Sequence, residues 1–247
     1  MENQNSKQGL TLREASLLSE VFEGEELEKA KKRVTGGEPI AYVMGRWFFY
    51  DLTLELDEHC LIPQPDTEHI VDYAIKLLPE NAYFCDLGCG TGAIALSILK
   101  HRPDTTALLC DISNEALGFA RKNAESYGLD GRCEFLLADM KKPFDGKKFD
   151  AIISNPPYIK SGDMPFLPKD VLCEPHIALD GGSDGMDFYR AIFESHKKEL
   201  NSDGLFIFEI GFDEADEIIS VSKENGYTKV NIYKDYGGND RVAVCKK

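Results

Sequence analysis

The residues best suited to chemistry are Asn155, Pro156, Pro157 and Tyr158, which follow the apolar run Ala151 to Ile153. That run, led by Asp150, reads as a buried parallel strand. It cannot continue past the prolines, which have no backbone N–H and fixed φ and push the preceding residue towards extended backbone. The carbonyls of Asn155 and Pro156 therefore have no ladder to join and can face a ligand. Asn155 adds one amide acceptor and two donors, and Tyr158 a flat ring with a hydroxyl. This set suits a planar nitrogen group, an amide or the exocyclic amine of a base. Asn-Pro is also ordinary turn chemistry, so the four residues alone leave a plain strand-to-loop turn open.

A second candidate site is the loop Asp86-Leu87-Gly88-Cys89-Gly90-Thr91-Gly92, between an expected strand and an expected helix. Its glycines allow φ > 0 and close approach of the backbone to a ligand. Gly88, Gly90 and Ala93 fit G-x-G-x-x-A, a form of the dinucleotide fingerprint, so the loop alone does not separate NAD from S-adenosylmethionine. Asp111 ends the next strand, where an acid holds ribose hydroxyls, although Asp-Ile-Ser-Asn is also helix-capping chemistry. Asp139 ends the third strand facing the same crevice, with a plain surface acid as the alternative. Hydride transfer has no evident use for Asn155-Pro-Pro-Tyr, whereas methyl transfer from a sulfonium to nitrogen does. An amide nitrogen is a poor nucleophile, because its lone pair is delocalised into the carbonyl. Acceptors at the Asn155 side-chain oxygen and the Pro156 carbonyl would orient its N–H groups and stabilise developing positive charge, with no strong base needed.

The elements that must position these residues can be read along the chain. Thr11-Leu12-Arg13-Glu14 fits a capping box opening a helix through Phe22, and a second helix spans about Glu25 to Val34, ending at Gly36-Gly37. Two such short helices must lie against something else. A β-hairpin turning near Asp51 and an extended connector, Leu61 to Pro65, come next. Asp66 or Thr67 is expected to cap a helix stopping at Pro79. Strands are expected over Tyr83 to Leu87, Thr106 to Cys110, Cys133 to Leu137, Phe149 to Ser154 and Leu205 to Ile210. Between the first and second lies a helix through Ile94 to Leu99. Between the second and third is one capped by Asn114 and closed by Gly128. A long connection, Lys160 to Asp184, precedes a helix around Phe188 to Leu200. After a helix over Glu214 to Asn225, Val230 to Tyr233 and Arg241 to Cys245 should pair antiparallel. Such alternation implies an α/β fold with a doubly wound, mostly parallel seven-stranded sheet. The expected division is a helical segment over 1–36, a hairpin linker over 37–66 and the main domain over 67–247. No internal repeat or low-complexity segment is present.

The 247 residues, 43% hydrophobic, suit one α/β domain plus an appendage. The polar start, Met1 to Asn5, lacks a secretory h-region. No apolar run reaches the roughly 18 residues that span a bilayer, so a cytoplasmic protein is expected. Seven cysteines without repeated spacing point to reduced thiols, and Cys85 and Cys89 lack a second pair for zinc. The five histidines, at 59, 69, 101, 176 and 196, form no local cluster, so no metal is expected. A formal charge of −15 repels polyphosphate, so tight non-specific nucleic-acid binding is not expected, and it is compatible with a basic protein partner. It also simply keeps a protein soluble.

Together the glycine loop, Asp111-Ile112-Ser113 followed by Ala116-Leu117, and Asn155-Pro156-Pro157-Tyr158-Ile159 resemble the PrmC/HemK family of class I N-methyltransferases. That family methylates the glutamine of the Gly-Gly-Gln motif in peptide-chain release factors. Further matches are Gly37-Glu38-Pro39-Ile40-Ala41-Tyr42, Leu61-Ile62-Pro63, Glu174-Pro175, Leu179-Asp180-Gly181-Gly182, Asp184-Gly185, Tyr189-Arg190 and Asp240-Arg241-Val242. Asn-Pro-Pro-Tyr alone is shared with adenine-N6 DNA methyltransferases and with some RNA and ribosomal-protein methyltransferases. The resemblance implies S-adenosyl-L-methionine as cofactor and S-adenosyl-L-homocysteine as product. It places Gly88, Cys89, Gly90, Thr91 and Gly92 along the cofactor, Asp111 on its ribose, and Asp139 and Met140 beside its adenine. Asn155, Pro156, Pro157 and Tyr158 would receive the glutamine, with Asn155, Pro156 and Tyr158 acting catalytically and Asn155 also bordering the cofactor. The implied partner is a release factor. The family usually has Arg at Gln64 and often Gln near Glu214, and the segment before Gly37 is shorter than its N-terminal domain.

Overall fold

The computed structural model describes residues 9–246; the start expected to lack a secretory h-region, Met1 to Asn5, lies outside them. Helices α1 (Leu12–Ser19) and α2 (Gly24–Thr35) lead into a short α3 (Ile40–Met44). The Thr11 hydroxyl accepts from the Glu14 N–H while the Glu14 carboxylate accepts from the Thr11 N–H, the reciprocal cap read in the sequence. Leu18 and Ala30 pack on Val43 and Met44 of α3, with Trp47 alongside. Five residues are too few to show helical periodicity, so α3 has no sequence signal; Gly45, in the left-handed region at φ 67°, stops it.

Strands β1 (Arg46–Phe49) and β2 (Leu52–Glu55) form the hairpin, joined through Tyr50 at φ 55° and Asp51. That strained turn is held by the Tyr50 N–H donating to Glu68 and the Tyr50 hydroxyl donating to Asp72, at 2.8 and 2.7 Å. The expected cap of the next helix is corrected. Pro65–Thr67 form a 3₁₀ turn running directly into α4 (Glu68–Leu77), and neither Asp66 nor Thr67 caps with its side chain. Proline at the first position presets the helical φ, which leaves the Thr67 hydroxyl free for another partner.

The remaining elements are β3 (Tyr83–Leu87), α5 (Ala93–His101), β4 (Thr106–Asp111), α6 (Asn114–Ser126), β5 (Cys133–Leu137), β6 (Phe149–Ser154), β7 (Ile159–Lys160), β8 (Asp180–Gly182), α7 (Asp187–His196), β9 (Leu200–Glu209), α8 (Ala215–Glu224), β10 (Lys229–Lys234) and β11 (Asp240–Lys246). The main sheet has seven strands in the order β10-β11-β9-β6-β3-β4-β5. Strands β9, β6, β3, β4 and β5 pair in parallel, and β11 runs against both neighbours. The chain moves outward from β3 through β4 to β5, then returns to place β6 on the other side of β3. The C-terminal end of β3 is thus a topological switch point, where a crevice opens.

Alternation along the strands builds two cores. Phe84, Ala107, Leu109, Ala151 and Ile153 face α4, α5, α6 and the hairpin, while Cys85, Leu108, Cys110, Phe149 and Ile152 face α7 and α8. Full burial of a large apolar side chain contributes roughly 1.5–3 kcal/mol, so rings such as Phe84 and Phe193 dominate the packing. Among the described residues no helix is long and apolar enough to cross a membrane.

Several boundaries differ from the sequence reading, among them that of α1, which stops at Ser19 instead of running through Phe22. Ser113, not Asn114, caps α6, its hydroxyl accepting from the Ala116 N–H at 3.1 Å. Helix α7 stops at His196 rather than near Leu200, and β9 starts at Leu200 because Leu200 pairs with Phe149 across a bulge. The long connection holds the parallel pair β7–β8 and three 3₁₀ turns at Met164–Phe166, Val171–Cys173 and His176–Ala178.

That connection folds tightly onto the end of β6 because its glycines leave room. A Cβ at Gly181 would sit 2.6 Å from the Tyr158 Cα, and one at Gly185 would sit 2.5 Å from Glu214 Oε1 and 2.6 Å from the Tyr158 carbonyl. Gly185 also has φ +81°. Gly185→Ala is therefore expected to lose at least about 2 kcal/mol in chemical denaturation, from strain plus collision. Gly90→Ala, also at positive φ but with nothing within 4 Å of the added Cβ, should lose only about 1 kcal/mol. Equal losses in the two variants would show that the glycines do not seat the connection.

Candidate functional site

The site gathers where β3, β4, β5 and β6 end. Past Leu87 the chain turns through Gly88, Gly90 and Gly92 at φ 73°, 54° and 83°. The N–H groups of Gly88 and Cys89 both donate to the Cys110 carbonyl, at 2.8 and 2.9 Å, which closes the turn against β4. Asp111, next along β4, accepts from the Gly90 N–H at 2.8 Å and, with its other oxygen, from the Ser113 N–H at 2.9 Å. Burial raises its carboxyl pKa, and these backbone donors oppose the rise. Each oxygen keeps a lone pair that can accept from a hydroxyl.

The loop offers main chain rather than side chains. Cys89 packs into the core and Thr91 is buried, its carbonyl accepting from Asn123 Nδ2 at 3.0 Å. Asn123 also exchanges hydrogen bonds with both backbone groups of Glu55, so one side chain ties the glycine loop to the hairpin. Beyond Gly90 there is open space. Met140, after β5, lies against Gly88: a Cβ there would meet its Cε at 2.5 Å. The half-buried Asp139 turns one oxygen back to the Lys141 N–H at 2.9 Å. Asp86, at the end of β3, is fully buried. Its Oδ2 accepts from the Ala95 N–H, its Oδ1 has no hydrogen-bond partner, and burial pushes its carboxyl pKa up to about 7.

The Asn-Pro-Pro-Tyr corner lies beside this loop, because the Ser154 hydroxyl donates to the Leu87 carbonyl at 2.7 Å. Asn155 is half-buried and its Nδ2 donates to Thr67 Oγ1 at 3.2 Å. Pro156 and Pro157 are buried. The Tyr158 hydroxyl donates to Glu209 Oε1 at 3.3 Å, and burial raises its pKa. These residues open onto a cleft of about 310 Å³ between the connector before α4 and the connection after β7. Asn155, Tyr158 and Glu209 form its floor, with Leu61, Gln64, Pro65, Val171, Glu174 and Leu179 around it. The two walls are joined by Glu174, which accepts from the Ile62 N–H at 2.8 Å.

Every residue singled out in the sequence lies at this edge of the sheet. The sequence reading named Asp86 as the first residue of the glycine loop, Thr67 only as a possible helix cap and Glu174 only as part of a family match, and it gave Asn123 and Glu209 no role in the site. Of the two departures from the family pattern, Gln64 is exposed on the cleft and folds its amide back to the Ile62 carbonyl at 3.1 Å. Glu214 is buried and accepts from the Gly211 N–H at 2.8 Å.

Residues 71–182 match the family described as methyltransferase small domain. The chain is 39% identical over 212 residues to the release factor glutamine methyltransferase of Clostridium acetobutylicum, covering 84% of this chain and 74% of that one. It is 38% identical to the enzyme of the same name from Neisseria gonorrhoeae over 222 residues, 89% of this chain and 80% of the other. Among solved structures, a methyltransferase from Pyrococcus furiosus superposes with a TM-score of 0.61 at 20% identity, covering 88% of this chain and 97% of that one. A ribosomal protein L11 methylase from Lactobacillus delbrueckii subsp. bulgaricus superposes with a TM-score of 0.58 at 19% identity, covering 78% and 84%. The fold is thus Rossmann-like, of the class I methyltransferase type.

Burial pushes the carboxyl pKa of Glu174, Glu209 and Glu214 up to about 7, from an ordinary 4.5. Between those values the folded protein holds protons that the unfolded chain has lost. Their contribution to stability therefore grows as pH falls from about 7 towards 4.5 and is absent above 7. Urea unfolding at several values from pH 8 to 5 should show this, with a flatter slope in Glu174→Gln. Identical slopes in the two proteins would remove Glu174 from the account.

Proposed function

The chain belongs to the release factor glutamine methyltransferase family, and on that premise we propose that it methylates the side-chain amide nitrogen of a glutamine in a protein. The substrate is the glutamine of the Gly-Gly-Gln motif of a peptide-chain release factor, and the methyl donor is S-adenosyl-L-methionine. When bound, that donor supplies a methyl group already activated by its positively charged sulfur.

The fit of the donor site rests on the chain's own residues. The open space beyond Gly90 accepts a ligand against main-chain N–H groups. Asp111 offers acceptor capacity to ribose hydroxyls, as the third-strand end with Asp139 and Met140 does to an adenine edge and face. Asp86 keeps one buried oxygen without a partner directly beneath the loop.

The observation that carries the reading is the Asn155 amide. With Nδ2 bonded to Thr67, its Oδ1 is left to accept. That oxygen and the Pro156 carbonyl can take the two N–H groups of an incoming carboxamide. They hold its plane fixed, and their pull strengthens as positive charge develops on the nitrogen. Tyr158 walls the pocket with its ring while its hydroxyl is bonded to Glu209. The floor thus presents acceptors to a donor-rich amide. The formal charge of −15 weighs against the adenine-N6 alternative, which needs a surface that attracts phosphate.

Labelled methyl donor should mark a release factor and leave its Gly-Gly-Gln Gln→Ala variant unmarked; equal labelling of both would end this reading. Asn155→Ala should still bind the donor and lose roughly 100-fold or more in turnover. Turnover within a few-fold of the wild type would contradict the role given to Asn155.

A further inference from the structure

We infer that His196, supported by Ser195 and Glu199, is a positioning residue for the donor site. It straps the segment that carries Asp139 and Met140 to the end of α7, and so sets the affinity for S-adenosyl-L-methionine. The inference deepens the reading above and rests on it for the place of Asp139 and Met140 beside the adenine.

Strand β5 is an edge of the main sheet and is only partly buried. Its ladder ends where the Ala138 N–H donates to the Asp111 carbonyl at 2.9 Å. Residues 139–148 then cross to the start of β6 without helix or strand. Their place is set by the partners that their backbone polar groups find. Those partners lie at the end of α7. His196 Nε2 is 2.7 Å from the Met140 carbonyl, and Nδ1 is 2.5 Å from Glu199 Oε2. A carbonyl only accepts, so Nε2 carries a proton and donates it. The other Glu199 oxygen accepts from the Phe144 N–H. The Ser195 hydroxyl donates to the Lys141 carbonyl at 2.6 Å. Rings add to the hold: Phe144 lies 4.8 Å from the His196 ring, and Lys141 Nζ lies 4.8 Å over the Phe188 ring.

The platform behind the strap is fixed to the sheet. Ile192 and Phe193 of α7 are fully buried, and the Tyr189 hydroxyl donates to the Glu209 carbonyl at 2.7 Å. The Glu199 N–H donates to the His196 carbonyl at 2.9 Å, and the Glu199 carbonyl accepts from the Phe149 N–H at 2.7 Å, at the head of β6. His196 is 0% and Glu199 5% exposed, so water does not replace a lost bond there. Both nitrogens of the His196 ring are engaged, which leaves it no edge for chemistry of its own. Its effect passes through Met140. The carbonyl that His196 holds and the terminal methyl that lies against Gly88 belong to the same residue. Releasing the first lets the second move, and the donor site loses the wall that its adenine packs on.

The test compares His196→Phe, which keeps a ring beside Phe144 but donates nothing, with His196→Gln, whose amide N–H can reach the Met140 carbonyl. In His196→Phe the dissociation constant and the KM of S-adenosyl-L-methionine should rise roughly 10-fold, while kcat at saturating donor is unchanged. His196→Gln should recover most of that affinity. Ser195→Ala, at a partly exposed position, loosens the same strap without opening the core, and should raise the constant about 3-fold. It decides the matter if His196→Phe does not fold. Without any ligand, ¹³C-methyl NMR of methionine-labelled protein should resolve Met140 among the five methionines, assigned through Met140→Leu. Its signal should move and narrow in His196→Phe and stay near its wild-type position in His196→Gln. Wild-type donor affinity in His196→Phe or in Ser195→Ala, a loss confined to kcat, equal affinity losses in the Phe and Gln variants, or an unmoved Met140 methyl in His196→Phe would each overturn the inference. A wild type that binds no S-adenosyl-L-methionine would instead overturn the functional reading, and the methyl spectra would still judge the strap.

Discussion

The paired hydrogen bonds from Gly88 and Cys89 to the single carbonyl of Cys110 are what the rest of the site depends on. They bend the chain away from the sheet at the switch point while satisfying the two N–H groups that leave the ladder. Once this turn is closed, Asp111 is brought under Gly90, Met140 against Gly88, and the end of β6 against Leu87. A residue with a side chain at Gly88 would be strained at φ 73° and would displace the Met140 terminal methyl, which lies against the turn from the end of β5. Backbone geometry here does the work that long polar side chains do in other sites.

Around that turn the molecule accumulates buried acids. Asp86, Glu174, Glu209 and Glu214 are all pushed to about 7 by burial, a cost to the fold that each offsets only partly through backbone or hydroxyl donors. Their placement follows a pattern. Asp86 braces the glycine turn through Ala95, Glu174 joins the two walls of the cleft, Glu209 forms its floor and Glu214 closes the turn after β9. An acceptor-rich, cation-poor cleft is poorly suited to phosphate and well suited to an amide, whose exposed edge carries two donors.

The peripheral pieces act as a frame rather than as sites. The hairpin is tied through Asn123 to the glycine loop, and the connection after β7 is seated on Tyr158 by Gly181 and Gly185. Both pieces come from outside the strand–helix alternation that builds the sheet, and both end where the cleft begins.

Much of this was legible without coordinates. Short apolar runs placed β3, β5 and β6 to within a residue; for the central strands β3 and β6 the reason is that a strand buried on both faces leaves a nearly unbroken apolar record. Glycine and proline marked the places where the ladder ends, so the glycine loop and Asn155-Pro-Pro-Tyr could be put at strand ends. What the tertiary structure decided is which side chains meet there. Thr67 lies 88 residues from Asn155, and Ile62 lies 112 from Glu174. Thr67 looked like a helix cap because a hydroxyl before a helical run usually is one. Proline at the helix start removed that need, and only the fold shows where the freed hydroxyl points. Local sequence determines backbone propensity and burial pattern. Hydrogen-bond partners across the sheet's edge depend on how distant segments are brought together, which no local pattern records.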